Sequence, residues 1–247
     1  VDWSQGDAIC GLTNGGGYAE YVAINASHCL PIPDGMSFIE AASLPETYFT
    51  IWSNIFMTAG LRADEIYLVH GGAGGLGTTS IQLAKAFGAL VIATDSPHER
   101  CIICNELGAD RVVDYQEEDF VDVVRKEYAG AHVILDTIGG PYIERNIKAA
   151  RPDARIIQLA FNLGSKVEIN LMPIMLKRII YTGSTLRSRP DAYKSEVARQ
   201  LHETVWPLFE TYRLKSVVEN TLPLEKASKA HALMESAEHK GKIVLTP

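Results

Sequence analysis

The sequence is poor in cysteine and lacks the ligand spacing of a structural metal site. Only four cysteines occur among its 247 residues, and two of them, Cys101 and Cys104, form a C-x-x-C motif. No second C-x-x-C and no pair of histidines at ligand spacing accompanies it, whereas structural zinc sites need four ligands. We therefore interpret these two cysteines as small apolar residues on a helix, and we expect no metal site.

The sequence also lacks a basic tract and a long apolar run. The formal net charge is -7, which argues against a nucleic-acid-binding protein. No run is long and apolar enough to span a membrane, and the first residues do not form a secretory signal. We therefore expect a cytoplasmic protein with neither a nucleic-acid nor a membrane partner.

What is present is the composition of an ordinary soluble protein. Apolar residues make up 47% of the chain and charged residues 21%, both typical of globular domains. A chain of 247 residues has room for one large domain or two modest ones.

The most informative segment is a glycine cluster that follows a short apolar strand pattern at residues 66–70. The cluster fits G-x-G-x-x-G, and a helical pattern follows at residues 78–87. In the order strand, turn, helix, this motif is typical of dinucleotide-binding loops. Gly72 then permits a tight turn, Gly74 lets a pyrophosphate approach the backbone, and Gly77 lets the helix pack closely on the strand. The alternative is a glycine-rich turn without a ligand.

Apolar runs and helical patterns alternate from this point onward. The second helix opens with a capping-box pattern from Ser96 to Glu99, with Pro97 at the first helical position. Such alternation predicts an α/β fold with a Rossmann-type doubly wound parallel sheet, whose ligands lie at the carboxyl ends of the strands. The predicted strands are 66–70, 90–94, 111–113, 132–136 and 155–160, and the later predicted helices are 119–128 and 143–150.

The two ends of the chain differ from this pattern. Residues 1–44 look rich in strands and turns, and the alternation at residues 18–24 after Gly15, Gly16 and Gly17 predicts a hairpin or bulge. A long helix is predicted at residues 191–212, kinked at Pro207. The last predicted elements are a strand near Val217, a helix at 224–237 and a strand at 243–245.

Seven segments, in this order, resemble one known family: GGGYAEYVAI, LPETYFTIW, LVHGGAGGLGTTSIQLAKAFGA, LGADRVVDYQEEDF, ILDTIGGPYIERN, YTGSTLR and HALMESAEHKGKIVLT. The chain is similar to the zinc-free quinone oxidoreductases of the medium-chain dehydrogenase/reductase superfamily, and among them to the p53-inducible branch. The resemblance covers essentially the whole chain. It implies a remnant of a GroES-like catalytic domain at 1–44, a dinucleotide-binding domain at 45–183, and a return to the catalytic domain at 184–247.

Family members begin with a longer GroES-like domain, and the resemblance implies that this chain starts inside it. A fragment, an omitted front segment and a naturally short protein are the alternatives. The catalytic side chains of the family come from that front, so no catalytic residue is assigned.

The resemblance implies cofactor-binding roles for positions spread along the chain. These are Thr50 at the nicotinamide end, Gly72, Ala73, Gly74, Gly75 and Leu76 at the pyrophosphate, Tyr115 at the adenosine, and Ile138, Gly139, Ala160 and Phe161 toward the nicotinamide.

Three of these positions also have simpler explanations. Thr50 fits a threonine in an apolar helix, Tyr115 an aromatic residue at a sheet edge, and Phe161 plain core packing.

The end of the second strand bears on the choice of cofactor. Arg100 stands where the family has a lysine, and with Ser96 it suits a 2′-phosphate. Asp95 instead occupies the place of the carboxylate that binds ribose hydroxyls in NAD-specific enzymes. At ~4 Å and an effective dielectric of ~20, a carboxylate and a phosphate charge repel by on the order of 4 kcal/mol. We expect NADPH, with Asp95 turned outward or paired with Arg100, and NADH is the alternative.

The function implied by the resemblance is hydride transfer from NAD(P)H to a quinone or another electron-poor acceptor without zinc. Two alternatives are reduction of an enone, as in enoyl reductases, and a cofactor-binding fragment without activity. The resemblance also implies a homodimer that pairs through residues 166–170 and 179–183, since an apolar exposed sheet edge favours a partner.

Overall fold

The computed structural model describes residues 3–211, 213–236 and 238–247. Two compact units divide the chain. We call Val1–Trp52 with Leu186–Pro247 the flanking unit, and Ser53–Thr185 the central unit. The assignment of the flanking segments to a GroES-like domain stays a prediction.

The first segment of the flanking unit contains little regular structure. Strand β1 (Ile9–Gly11) pairs antiparallel with β2 (Cys29–Pro31), which follows a short 3-10 turn at Ala26–His28. Helices α1 (Phe38–Ala42) and α2 (Leu44–Ile51) follow, and a capping box of Ser37 and Glu40 opens α1.

The hairpin or bulge predicted at residues 18–24 is wrong, because these residues form no strand. Their alternation has no buried face, since the side chains of Tyr18 and Tyr21 are 63% and 89% exposed. The Tyr18 hydroxyl instead forms a hydrogen bond with His231 Nε2, at 2.9 Å.

The central unit is built on a six-stranded sheet in which every neighbouring pair is parallel. Its strands are β3 (Ile66–His70), β4 (Leu90–Asp95), β5 (Arg111–Asp114), β6 (Ala131–Asp136), β7 (Ala150–Gln158) and β8 (Ile180–Gly183). Their order across the sheet is β5-β4-β3-β6-β7-β8. This order, which reverses between β3 and β6, confirms the predicted Rossmann-type fold.

Helices cover both faces of this sheet. A π-helical segment, Trp52–Thr58, precedes β3. The helices of the sheet region are α3 (Gly75–Ala86), α4 (His98–Glu106), α5 (Phe120–Tyr128), α6 (Tyr142–Ala149) and α7 (Met172–Lys177). On one face Leu68, Ile92 and Ile134 pack with Phe120 of α5 and Ile147 of α6. Buried strands of this kind have the continuous apolar character of a parallel sheet.

One part of the predicted sheet edge is absent from the described structure. Residues 166–170 form no strand, and β8 alone follows β7 at that edge. Of the two segments predicted to pair with a second copy, 166–170 and 179–183, only the second contains a strand among the described residues. The pairing itself stays a prediction.

The chain ends in the second segment of the flanking unit. Helix α8 (Asp191–Gln200) passes into a π-helical turn at Leu201–Val205, and α9 (Pro207–Glu210) starts at the proline. The predicted long helix is thus interrupted next to Pro207, which cannot donate the hydrogen bond of a continuous helix. Strand β9 (Val218–Pro223), a 3-10 turn at Leu224–Lys226, α10 (Ala227–Glu235) and β10 (Lys242–Thr246) complete the unit.

Trp206 and Phe209 are core residues of the flanking unit. Both rings pack against Tyr48, with centroids 6.1 and 5.3 Å away. Tyr212 and Ala237, the predicted ends of two helices, lie outside the described residues. Within the described part of the chain, no helix combines the length and the apolar character needed to cross a membrane.

A half-buried ion pair joins the segment before β3 to β7. Arg155 donates from Nη1 and Nη2 to the two carboxylate oxygens of Glu65, at 2.9 and 2.6 Å, and from Nε to the Ala59 carbonyl at 2.8 Å. Burial raises the pKa of Glu65, but the hydrogen bonds from Arg155 and from the Arg62 N–H outweigh it and leave the pKa below its usual value.

Replacing Arg155 by methionine removes this pair, and we expect Arg155→Met to lower the free energy of unfolding by about 2 kcal/mol at neutral pH. Because the pKa of Glu65 is lower in the folded state, its stabilisation is present above the unfolded pKa of about 4.3 and is lost as the pH falls. The loss caused by Arg155→Met should therefore shrink in acid. Urea unfolding at several pH values measures it.

Arg178 provides the matched control, because it also contacts a carboxylate through two nitrogens, Nε and Nη2 toward Asp153, but at an exposed site. Arg178→Met should leave the unfolding midpoint unchanged, since exposed pairs contribute little. Equal effects of the two substitutions would contradict the role given to burial.

Candidate dinucleotide-binding site

The loop between β3 and α3 makes its tight turn one residue earlier than the sequence suggests. Gly71 has the left-handed backbone, with φ +70°, and the N–H groups of Gly71 and Gly72 both donate to the Thr94 carbonyl, at 2.9 and 3.1 Å. The turning role predicted for Gly72 thus belongs to Gly71. Gly72 is needed for another reason, because a Cβ there would lie 2.7 Å from Cys104 Sγ.

The two remaining glycines of the motif differ in how much space surrounds them. A Cβ on Gly77 would lie 2.2 Å from the Gly71 carbonyl oxygen, so close packing of helix and strand requires glycine. A Cβ on Gly74 would meet nothing nearer than 3.4 Å. The protein's own packing therefore leaves the side of Gly74 open to a ligand.

The first turn of α3 presents backbone donors beside this open side. Gly74 is the N-cap, and the Thr78 N–H donates to the Gly74 carbonyl at 2.8 Å. The N–H groups of Gly75, Leu76 and Gly77 precede that first intrahelical bond, as at every helix start. With the positive end of the helix dipole, they suit an anion such as a pyrophosphate.

Asp95, at the end of β4, is turned inward and is 3% exposed. Its carboxylate accepts hydrogen bonds from the Ala73 N–H at 2.7 Å and the Ser96 N–H at 2.8 Å. It also accepts two from Arg100, from Nε at 2.7 Å and from Nη2 at 3.3 Å. Of the two arrangements left open by the sequence, the structure has the pairing with Arg100.

The capping box predicted at Ser96 and Glu99 is wrong. The helix begins at His98 with Pro97 as its N-cap, and no side chain caps it. The reason lies in Asp95, which takes the Ser96 N–H that a capping Glu99 would accept. Ser96 Oγ is consequently buried without a hydrogen-bond partner among the described residues, and Ser96 is 6% exposed.

Tyr115 lies directly after β5, next to Asp95 at the end of β4. Its N–H donates to the Asp95 carbonyl at 3.3 Å, and the residue is 45% exposed. Burial, followed by the charge of Asp95, raises the pKa of its phenol. The ring is therefore a neutral, half-exposed surface near Asp95 and Arg100.

The loops after β6 and β7 bring a second group of predicted residues together. The N–H groups of Ile138 and Gly139 donate to Asp136 Oδ1 at 2.7 and 2.9 Å. Gly139 has φ +68°, and a Cβ there would lie 2.7 Å from Phe161 Cδ1. Phe161 follows Ala160 just beyond the end of β7 and is 45% exposed, so plain core packing does not explain it.

Thr50 is the one predicted site residue of the flanking unit. It lies in α2, where its hydroxyl donates to the Glu46 carbonyl at 2.6 Å. Its contact with the nicotinamide stays a prediction.

The sequence analysis assigned no role to four buried polar residues of the central unit: His70, Thr94, Asp136 and Asn146. His70 Nδ1 lies 2.9 Å from Thr94 Oγ1, and His70 Nε2 lies 2.8 Å from Asn146 Oδ1. Asn146 Nδ2 donates to Asp136 Oδ2 at 2.9 Å. The available signal was a polar residue at or next to the end of three adjacent apolar strands.

The C-x-x-C cysteines are buried in α4, as small apolar residues would be. Cys101 Sγ donates to the Asp95 carbonyl and Cys104 Sγ to the Arg100 carbonyl, both at 3.5 Å. Burial, above all, raises the pKa of Cys101 to about 11 and raises that of Cys104 as well. Across the described residues, no group of three or more His, Cys, Asp or Glu side chains is placed to hold a metal ion.

Comparison with known proteins gives a family match that begins at α3 and includes most of the central unit. The family model for zinc-binding dehydrogenases matches residues 75–203, just over half of the chain. The quinone oxidoreductase of Rattus norvegicus is 29% identical over 98% of this chain and 73% of its own length.

Solved structures agree in fold. An NAD-dependent alcohol dehydrogenase superposes with a TM-score of 0.83 at 33% identity, over 94% of this chain and 65% of its own. The quinone oxidoreductase of Thermus thermophilus, solved also with NADPH, superposes with a TM-score of 0.87 at 26% identity, over 99% of this chain and 78% of its own. The chain spans 54% of the length of one curated relative and 73% of that of the rat enzyme.

The open side of Gly74 predicts different outcomes for two neighbouring substitutions. Gly77→Ala should lower the free energy of unfolding by about 3 kcal/mol through overpacking. Gly74→Ala should leave unfolding unchanged and weaken binding of ADP by at least about tenfold, because its methyl group occupies the approach of a pyrophosphate. Urea unfolding and calorimetric titration with ADP measure the two effects. Wild-type affinity in Gly74→Ala would contradict the approach assigned to this face.

Proposed function

The chain belongs to the zinc-binding dehydrogenase family, and from this premise we propose that it is an oxidoreductase that binds NADPH and passes hydride to a quinone or a similar electron-poor acceptor. The name of the rat relative supports the acceptor, and the NADPH complex of the Thermus thermophilus enzyme supports the cofactor.

The observation that carries the cofactor assignment is the Ser96 hydroxyl, buried without a described partner beside a loop that is open at Gly74. Buried hydroxyls are nearly always hydrogen-bonded, so this one fits a polar group of a ligand. The residues that would hold NADPH are Gly75, Leu76 and Gly77 at the pyrophosphate, and Ser96 with Arg100 at the 2′-phosphate.

NADPH is favoured over NADH by the arrangement of Asp95. A carboxylate that selects NADH must face the ribose hydroxyls, whereas that of Asp95 accepts four hydrogen bonds from Ala73, Ser96 and Arg100. Its charge is offset by the guanidinium at 2.7 Å, so repulsion of a 2′-phosphate is small. The alcohol dehydrogenase with a similar fold is NAD-dependent, which makes NADH the competing cofactor.

The acceptor side of the proposal needs no zinc. When bound, NADPH supplies the hydride, and the protein orients the two reactants and keeps water away. Phe161 and Ile138 offer apolar surface at the ends of β7 and β6 for the nicotinamide half. Among the described residues, no third His, Cys, Asp or Glu side chain is placed to bind a metal ion together with the C-x-x-C thiols, whereas a structural zinc site needs four ligands.

Stopped-flow mixing of the chain with NADPH and a simple benzoquinone tests this function. We expect quinone-dependent loss of NADPH absorbance, faster than with NADH and faster than with an alkenal. Gly74→Ala serves as the matched variant and should lose turnover, since its fold is expected to remain.

The other possible outcomes of these experiments point to other functions. Preference for the alkenal would identify an enoyl reductase, and preference for NADH would reverse the cofactor assignment. Tight binding of NADPH without turnover would identify a cofactor-binding protein without activity, and failure to bind either cofactor would refute the proposal.

We also propose that the central unit pairs with a second copy through its β8 edge. Ile180 on this edge strand is 58% exposed, and α7 exposes Met172, Met175 and Leu176 nearby in sequence. An apolar edge strand with unpaired backbone groups favours a partner strand, and an exposed apolar patch of this kind is typical of an interface.

The dimer is expected to dissociate when a charge is placed in this patch. Met175→Glu should give the mass of a monomer in light scattering, because an unpaired carboxylate is costly to bury. Met234→Glu, at a similarly exposed methionine of α10, is the control and should remain dimeric. A monomeric wild-type chain at micromolar concentration would refute the pairing.

A further inference from the structure

We propose that Asn146, together with His70 and Asp136, is a positioning device for the turn at residues 138–140, and that it controls binding of the nicotinamide half of the cofactor. The inference depends on the proposed function for the identity of the ligand. We call the connected side chains of Thr94, His70, Asn146 and Asp136 the buried relay.

The buried relay crosses the point where the strand order reverses. Thr94 is the last residue but one of β4, His70 is the last residue of β3, and Asp136 is the last residue of β6. Asn146 reaches between His70 and Asp136 from α6. All four side chains are buried, with exposures of 2% or less. The relay therefore ties together the strand ends on both sides of the reversal.

The hydrogen bonds of the relay have one consistent direction. Asn146 donates through Nδ2 to the Asp136 carboxylate, so its Oδ1 accepts from His70 Nε2. Burial lowers the pKa of His70, which keeps the ring neutral, and its Nδ1 then accepts from the Thr94 hydroxyl. Edge contacts from Phe120 and Tyr142, with ring centroids at 4.8 and 5.0 Å, hold the imidazole in place.

The far end of the relay acts on the backbone. While Asp136 Oδ2 is held by Asn146, its Oδ1 accepts the N–H groups of Ile138 and Gly139. Those two bonds hold a turn in which Gly139 and Gly140 both have left-handed φ, +68° and +52°. The Leu163 N–H then donates to the Ile138 carbonyl at 2.8 Å, which joins the turn to the loop of Phe161. Rotation of the Asp136 carboxylate would therefore shift both loops.

The position of this turn assigns it to one half of the ligand. In a doubly wound sheet, the two mononucleotide halves of a dinucleotide lie on opposite sides of the strand reversal. The loops of β3 and β4 carry the pyrophosphate loop and Ser96, which serve the adenosine half. The turn at residues 138–140 follows β6, on the other side. Loss of Asn146 should weaken contacts with the nicotinamide half and spare those with the adenosine half.

Calorimetric titration of Asn146→Ala with two ligands separates these effects. We expect the dissociation constant for NADPH to rise about tenfold, the effect of losing hydrogen bonds to a charged group. The dissociation constant for 2′,5′-ADP, which lacks the nicotinamide half, should change less than about twofold. Lys148→Ala, at an exposed position of the same helix, is the matched control and should bind both ligands as the wild type does.

A pair of substitutions at His70 tests the relay and leaves Asp136 and Asn146 unchanged. His70→Phe fills a similar volume without a donor and should show the same selective loss for NADPH. His70→Gln retains an N–H donor toward Asn146 and should recover most of the affinity. These variants also serve if Asn146→Ala does not fold.

Hydrogen exchange of the backbone amides gives a readout independent of any ligand. The Ile138 and Gly139 amides should exchange faster in Asn146→Ala, while those of β3 remain protected as in the wild type. Equal loss of affinity for both ligands, or unchanged exchange at these two amides, would overturn the inference. Failure of the wild type to bind NADPH would refute the proposed function instead, and exchange alone would then decide the role of Asn146.

Discussion

The Asp95 carboxylate is the interaction on which the rest of the candidate site depends. It receives N–H groups from the loop at Ala73, from Ser96 and from Arg100 on α4, so a single buried anion joins three separate segments. A buried carboxylate is costly unless its hydrogen bonds are satisfied, and four donors meet that requirement here. Because Asp95 is occupied in this way, it holds the loop in shape and leaves the Ser96 hydroxyl without a partner among the described residues.

The glycines of the loop between β3 and α3 have different structural roles. Gly71 supplies the left-handed turn, and Gly72 and Gly77 allow close contact with Cys104 and with the loop backbone. Gly74 has an ordinary φ, and a Cβ there would meet nothing nearer than 3.4 Å. Gly72 and Gly77 thus serve the packing of the protein, Gly71 serves its turn, and Gly74 leaves room for a ligand. A G-x-G-x-x-G motif therefore indicates nucleotide binding only in the right structural context.

Polar groups also organise the other side of the strand reversal. The core of the sheet is apolar, and nonspecific packing of that kind leaves the loops at its edge poorly specified. The buried relay of Thr94, His70, Asn146 and Asp136 adds directional bonds where the strands end. Fully satisfied networks in a low-dielectric interior rigidify their surroundings, which supports the positioning role that we propose for the relay at residues 138–140.

The sequence by itself determined the parallel sheet, the glycine-rich turn before α3 and the family resemblance, because apolar period and glycine spacing are local properties of the chain. Tertiary structure decided which way Asp95 points, since its four donors come from three segments. Residues 18–24 form no strand, because neither face of their alternating pattern is buried. No capping box forms at Ser96, because the Ser96 N–H already donates to Asp95. The buried relay was not predictable, because His70 and Asn146 are 76 residues apart and meet only when the sheet is folded.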